Sequence, residues 1–377
     1  MTINNEHKKL NVPNLRFPEF QGEWEKKSLG EIGDSFIGLT YKPTDVVSEG
    51  GLIVFRSSNI QNGCMDYKDI VRVNKNVKEK LITKKDDLLV CARNGSARLI
   101  GKNAILHEAD ANQTFGAFMM VFRSDKNHFV HQLLNTRRYS SQVSENLGAR
   151  INQITSSDLS SFEFFFPTEN SEMNKIAALL DLLDERIATQ NKIIDKLQSL
   201  IKGIAQKIVR SNKPNVRLSE CLECNSSTLQ ESDVCEHGTY PVYGANDIVG
   251  YLNNYNTEGE AVYIIKDGSG VGTVSYVEGK CSATGTLNTL QAKEGYSLQY
   301  LYYLLKVFNF EPYKTGMAIP HIYFKDYGKA KVFCPSYTEQ LRYARLLSAI
   351  DIKLSAEQHI LTELSLQKQY LLRQMFI

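Results

Sequence analysis

The chain has 377 residues, enough for two or three domains, with 42% hydrophobic and 23% charged residues. No apolar run reaches the roughly 18 residues of a membrane helix, and no charged-then-apolar leader opens the sequence. Seven cysteines without a leader lead us to expect a reducing cytoplasm. The net charge of +2 is uneven: residues 1–150 hold 22 Lys+Arg against 17 Asp+Glu, and residues 211–318 hold 7 against 12. By bulk charge, only the first of these stretches suits a polyanion.

Residues 1–20 are polar and proline-punctuated, an arm expected to have little structure of its own. Trp24 to Gly33 predicts a strand and a short helix. The β-rich run Leu52 to Phe55 delivers Arg56, Ser57, Ser58, Asn59, Gln61 and Asn62 into a loop. Asp86 to Leu106 repeats the device as strand, loop (Arg93, Asn94, Gly95, Ser96, Ala97, Arg98) and strand. An apolar strand AFMMVF follows Thr114, and His128 to Leu147 has helical spacing.

FEFFFP, Phe162 to Pro167, is a short strand stopped by proline. After it, Ile176, Leu180, Leu183, Ile187, Ile194, Leu197, Ile201, Ile204 and Ile208 recur in alternating steps of four and three, interrupted by Gln190. That period keeps one helical stripe against a partner, as in a coiled coil.

The same order then recurs. Val216 to Cys221 matches the first entry segment, with Leu218 and Glu220 on Leu29 and Glu31. Gly238 to Asn256 is aromatic and turn-rich, and Ala261 to Tyr276 is strand, glycine loop, strand. There Asp267, Gly268 and Ser269 align by residue identity with Asn94, Gly95 and Ser96. CSATGTLNTLQA echoes QTFGAFMMVF, and Ser297 to Phe308 predicts a helix. A second seam, 167 residues on, reads Tyr343, Leu347, Ile350, Leu354, Glu357, Leu361, Leu364, Lys368, Leu371 and Met375, with Glu357 where Gln190 stood. Matched periods in two such halves predict an antiparallel pair about a pseudo-twofold axis close to Gln190 and Glu357.

The chain therefore predicts an α+β protein with a pseudo-twofold internal repeat: two α/β domains separated by a pair of long antiparallel coiled-coil helices. The expected boundaries are an arm at 1–20, a first domain at 21–167, a spacer helix at 168–212, a second domain at 213–335 and a second spacer helix at 336–377.

Several chemistries are disfavoured by spacing. GSARLIGK, Gly95 to Lys102, has five residues between its glycines where a phosphate loop has four, and Asn103 replaces Ser/Thr. Gly268 to Gly272 is not a dinucleotide fingerprint. Cys221, Cys224, Cys235 and His237 have the inventory of a zinc site, but the repeat places Cys221 on apolar Ile32, a buried helix position. The Asn/Asp-Pro-Pro-aromatic motif of amino-methyltransferases is missing, no carboxylate cluster suits a nuclease, and His107, His128, His321 and His359 stand alone. No catalytic group, metal site or cofactor site is expected.

What remains is loop chemistry. Arg, Asn and Gln can make bidentate contacts to guanine and adenine edges, while Ser, Thr and backbone N–H groups suit phosphates. The candidate DNA-binding residues are Arg56, Ser58, Asn59, Gln61, Arg93, Asn94, Ser96 and Arg98 in the first domain. In the second they are Tyr243, Asn246, Lys266, Ser269, Thr286 and His321.

The paired segments PTENSEMNKIAALLDLLDERI and PSYTEQLRYARLLSAIDIKL resemble the two conserved regions of type I restriction–modification specificity subunits. FRSSNIQNG, LLVCARNGSARLIGKNAIL and YPVYGANDIVGYLNNYN are similar to that family's target-recognition domains. The resemblance covers nearly the whole chain. It implies a non-catalytic reader of double-stranded DNA whose two domains each recognise half of a bipartite, asymmetric site. It further implies that the helices dock two adenine-methyltransferase subunits, which motor–nuclease subunits then join. A self-contained restriction or methylation enzyme and a coiled-coil scaffold without DNA binding are the alternatives.

Overall fold

In the computed structural model, residues 10–149 and 152–377 are described. The chain forms two compact units: Met1–Gln190 with Ile360–Ile377, and Asn191–His359. The arm's residues 1–9 lie outside the described residues. Residues 10–20 carry no helix or strand, yet Leu15 N–H donates to Gln374 O at 2.8 Å and Arg16 pairs with the buried Glu172.

In the first unit, strand Glu25–Ser28 pairs antiparallel with Glu163–Phe166, and the helix Leu29–Ile32 follows at once. A four-stranded antiparallel sheet has the order Asp34–Ile37, Met119–Arg123, Leu88–Cys91, Asn103–Ile105. Its strands alternate faces with period two, and both faces are covered. Leu88, Val90, Met120 and Phe122 enter one core; Leu89, Cys91, Met119 and Val121 enter another. That explains why LLVC and MMVF are continuously apolar. A second sheet, ordered Thr114–Phe115, Leu52–Phe55, Val71–Val73, Val46–Val47, closes the second core with Phe55 and Phe115. The predicted helix between His128 and Leu147 is two helices, Asn127–Leu133 and Arg137–Ala149. The expected strand AFMMVF starts two residues late, because Ala117 and Phe118 belong to a turn.

The second unit repeats this design. Val216–Arg217 pairs with Lys331–Val332 and leads into the helix Leu218–Cys221. A four-stranded antiparallel sheet runs Leu222–Ser226, Leu287–Ala292, Ala261–Ile265, Val274–Val277, and a three-stranded one Ile248–Leu252, Tyr240–Tyr243, Ser282–Ala283. In each entry segment an acidic side chain three residues on accepts the backbone N–H that precedes the short helix: Ser28 N–H to Glu31, Arg217 N–H to Glu220. Leu29 and Leu218 are fully buried beneath.

The long helices run Asn170–Arg210 and Tyr337–Met375. Every seam position of both is buried or half-buried, whereas Leu182 and Ile352, off the seam, are 58% and 71% exposed. Within the first unit their pairing is antiparallel. Ile176 and Leu180 share a core with Leu372, Met375 and Phe376, and Asp184, further along the first helix, meets Lys368, further back on the second. Gln190 is buried; Glu357 is half-buried and accepts from Lys353 one turn earlier, at 2.7 Å.

Candidate nucleic-acid interface

Strand Leu52–Phe55 ends in a single 3₁₀ turn, Ser57–Asn59. Asn59 builds this loop from inside. Its Oδ1 accepts the Arg56 N–H at 2.9 Å, its Nδ2 donates to the carbonyls of Asp66 and Asp69, and only 1% of it is exposed. With those bonds made, Asn59 shapes the loop and is turned away from solvent. Arg56 forms an ion pair with Asp69 at 2.7 Å. The Ser58 hydroxyl and then Arg56 hold the Asp69 carboxyl below its ordinary range. Gln61 is exposed, with Nε2 donating to Ser58 O.

The glycine loop closes onto this one. Asn94 Nδ2 donates to Ser57 Oγ at 3.0 Å, while its Oδ1 accepts the Ser96 N–H. Lys102 Nζ donates to Ser57 O at 3.2 Å, and its burial lowers the amine's pKa. Arg93 and Arg98 are exposed. The Arg93 guanidinium lies 5.3 Å from the ring centre of Phe118, itself 58% exposed. A groove of about 560 Å³ runs alongside, lined by Leu39, Tyr41, Arg56, Ser58, Gly116 and Phe118. The structure thus gathers Arg56, Ser58, Gln61, Arg93, Asn94 and Ser96 around two interlocked loops.

In the second unit, the Lys266 N–H donates to Thr286 O at 3.0 Å, and the Thr286 hydroxyl meets that of Thr284 at 2.8 Å. Thr284 N–H in turn donates to Tyr243 O at 2.9 Å. His321 Nδ1 lies 2.7 Å from Asp267 Oδ1, and Ile322 N–H donates to Lys266 O. Tyr243, Lys266, Thr286 and His321 are half-buried along this chain of bonds, and Asn246 and Ser269 are exposed on its loops. Burial, ahead of its charged neighbours, raises the Tyr243 hydroxyl's pKa.

The hydrogen bonds superimpose the two sites position by position. Gly116 N–H to Phe55 O corresponds to Thr284 N–H to Tyr243 O. Ala92 N–H to Phe118 O corresponds to Lys266 N–H to Thr286 O, and Ile154 N–H to Ala92 O to Ile322 N–H to Lys266 O. Arg93 bridges Gln153 where Asp267 bridges His321. The expected alignment of Asp267 with Asn94 is therefore corrected by one residue: Asp267 stands where Arg93 stands. Matching the Gly-Ser pairs compared side chains, whereas the ladder fixes register through backbone groups.

This register exposes two residues that the sequence reading passed over. Phe118 is the counterpart of Thr286, but an aromatic inside an apolar run gives no sign that it faces solvent. Asp267 is a lone carboxylate beside a Gly-Ser pair in an acidic stretch, which gives no sign of a DNA contact. The cysteines separate: Cys221 ends a helix, fully buried, 3.9 Å from Cys334 Sγ, while Cys235 is exposed. Among the described residues no group of three or more His, Cys, Asp or Glu could hold a metal ion, and no helix is long and apolar enough to cross a membrane.

A family model described as "Type I restriction modification DNA specificity domain" matches residues 21–199 and again 211–366. The chain is 28% identical over 180 residues to the type I restriction enzyme EcoKI specificity subunit of Escherichia coli, covering 46% of this chain and 38% of that one. It is 26% identical over 196 residues to the StySPI specificity subunit of Salmonella potsdam, 49% of this chain and 42% of that one. The chain thus spans about two fifths of the length of these relatives. A putative type I specificity subunit of Mycoplasma genitalium is 25% identical over 251 residues, 61% and 65% of the two chains. The crystal structure of a type I restriction–modification S subunit from M. genitalium shares the fold, with a TM-score of 0.68 at 20% identity over 97% of this chain and 99% of that one. With two matches that span most of its length, one in each half, the chain belongs to the family of type I restriction–modification DNA specificity domains.

Proposed function

We propose that this chain is the DNA-specificity subunit of a type I restriction–modification complex, reading a bipartite, asymmetric site with one unit per half-site. The observation that carries this reading is a single backbone frame built twice and furnished with different side chains. Two readers of common descent and different chemistry suit two different half-sites. Arg56, Ser58, Gln61, Arg93, Asn94, Ser96 and Arg98 face the first half; Tyr243, Asn246, Lys266, Ser269, Thr286 and His321 face the second. Asn59 supports the first set from beneath. Exposed Arg and Asn on a rigid scaffold suit base edges, and the serine and threonine hydroxyls suit phosphates.

The chain itself is non-catalytic in this reading and acts in the cytoplasm. Two adenine-methyltransferase subunits dock on the long helices and transfer methyl groups from S-adenosylmethionine to adenine; motor–nuclease subunits join that core. The test is a genome-wide map of methylated adenines with the subunit present and deleted. The expected result is one bipartite motif that disappears on deletion and whose second half alone changes when residues 211–318 are exchanged for those of a relative. Methylation by the purified chain without partners, or a change in both halves on exchange, overturns the reading.

A further inference from the structure

The position shared by Arg93 and Asp267 carries opposite charges on one backbone frame. In both units this residue bridges the segment that follows the domain's helices, Gln153 in one and His321 in the other. In both, the residue just before it is locked to the same turn, through Phe118 O or Thr286 O. The two residues thus hold the same place in the backbone ladder, and what differs most is the chemistry of their side chains. Arg93 is a planar donor fork braced on the Phe118 ring. Asp267 is an acceptor, 35% exposed, held by His321 at 2.7 Å. A carboxylate has two oxygens and about four acceptor sites, so the His321 bond leaves capacity for a ligand. A carboxylate among DNA-facing loops is repelled by phosphates, and that cost is offset only where it meets a donor; in the major groove the cytosine N4 amino group is such a donor.

We infer that Arg93 and Asp267 are the equivalent specificity-determining residues of the two units, Arg93 selecting guanine in the first half-site and Asp267 selecting cytosine in the second. This deepens, and rests on, the DNA-reading function proposed above. Phe118 braces the arginine and His321 the carboxylate; both are positioning residues. The alternative is that Asp267 only holds His321 and meets no base.

The experiment maps methylated adenines in cells carrying the complete complex with the wild-type chain, Asp267→Asn or Arg93→Gln. Asparagine keeps the shape of aspartate but also donates, so Asp267→Asn is expected to lower the preference for cytosine at one position of the second half by about tenfold or more, with the first half untouched. Arg93→Gln should relax one guanine in the first half and spare the second. In each variant the unaltered half-site reports a folded chain. The inference is overturned if either variant leaves its motif unchanged, or weakens methylation of all sequences alike. A wild-type chain that yields no bipartite motif would instead remove the DNA-reading function itself.

Discussion

Lys368 Nζ lies 2.5 Å from Asp184 Oδ1, a cation of one long helix meeting a carboxylate of the other within the first unit. In the repeat, Lys368 occupies the seam place that Ile201 holds in the first helix, 167 residues earlier. Its tolerance there is explained by the partner. Asp184 also accepts from Gln132 Nε2 at 3.0 Å, so the pair ties the helix Asn127–Leu133 to the seam. A lysine that reads as a defect in one helix is a contact between three elements.

The pair is partly screened, with 16% and 27% of the two side chains exposed. Lys368→Ala is expected to cost about 1–2 kcal/mol in urea unfolding, because it leaves Asp184 half-buried without its cation. Combining it with Asp184→Asn should recover part of that loss, and additive effects of the two changes would show that the pair is not coupled.

Arg16 anchors the N-terminal segment. Its Nε and Nη2 each donate to Glu172 at 2.7 Å, and Trp24 Nε1 donates to the same carboxylate at 3.3 Å. Glu172 is 1% exposed. Arg16→Ala strands a buried carboxylate and should cost about 3 kcal/mol, measured by denaturant unfolding. Arg16→Lys should restore little, since an ammonium cannot reproduce the two-pronged geometry.

Two histidines of the first unit titrate in opposite senses. Burial, and then Lys368, pushes buried His131 down to about 4, although Asp184 and Asp181 act the other way; its Nδ1 meets Asn103 Oδ1 at 2.9 Å. His128, hydrogen-bonded first to Asp181 and also to Asp86, is raised. Between pH 6.5 and 4 the unfolded chain gains a proton at His131 that the folded chain refuses, so stability falls as pH falls. His128 contributes the reverse: its share is full below 6.5 and lost as pH rises through its raised value. His131→Asn should flatten the acid-side loss seen in thermal unfolding from pH 7 to 4.5, whereas His128→Asn should leave that side unchanged and remove a loss of stability that the wild type shows as pH rises above 6.5. Identical pH profiles for the wild type and His131→Asn would refute the assignment.

The long helices have 41 and 39 residues, about 60 Å each at 1.5 Å per residue. If they separate the two readers, inserting four residues after Ser199, about 6 Å of helix, should lengthen the unread spacer by one or two base pairs. The half-site sequences should stay the same. A methylation map with the original spacing would show that the helices are not the ruler.

Phe118 should matter through the arginine it braces. Phe118→Ala is expected to leave thermal unfolding within about 0.5 kcal/mol of the wild type, since the ring is mostly exposed. It should nonetheless weaken the guanine preference assigned to Arg93, read from the same methylation map; an unaltered preference would mean that the arginine needs no support from the ring.

Periodicity by itself determined most of the architecture. The four-and-three spacing from Ile176 and from Tyr343 located both long helices, because a helix can keep a stripe buried only if that stripe repeats at its own period. The apolar runs LLVC and AVYII gave strands, and the matched Leu29 and Leu218 gave the repeated entry helix. Residue types named the loops, but they could not sort residues within a loop. Asn59 and Gln61 are both amides two positions apart, yet one is sealed into the loop and the other faces solvent. Arg56 and Arg93 are both arginines, one paired with Asp69 and the other laid over Phe118. Those outcomes depend on which backbone groups lie within about 3 Å of each side chain, and that is set by strand pairings between residues far apart in sequence. The same pairings placed Asp267 on Arg93, because register is a property of two strands together and is written in neither alone.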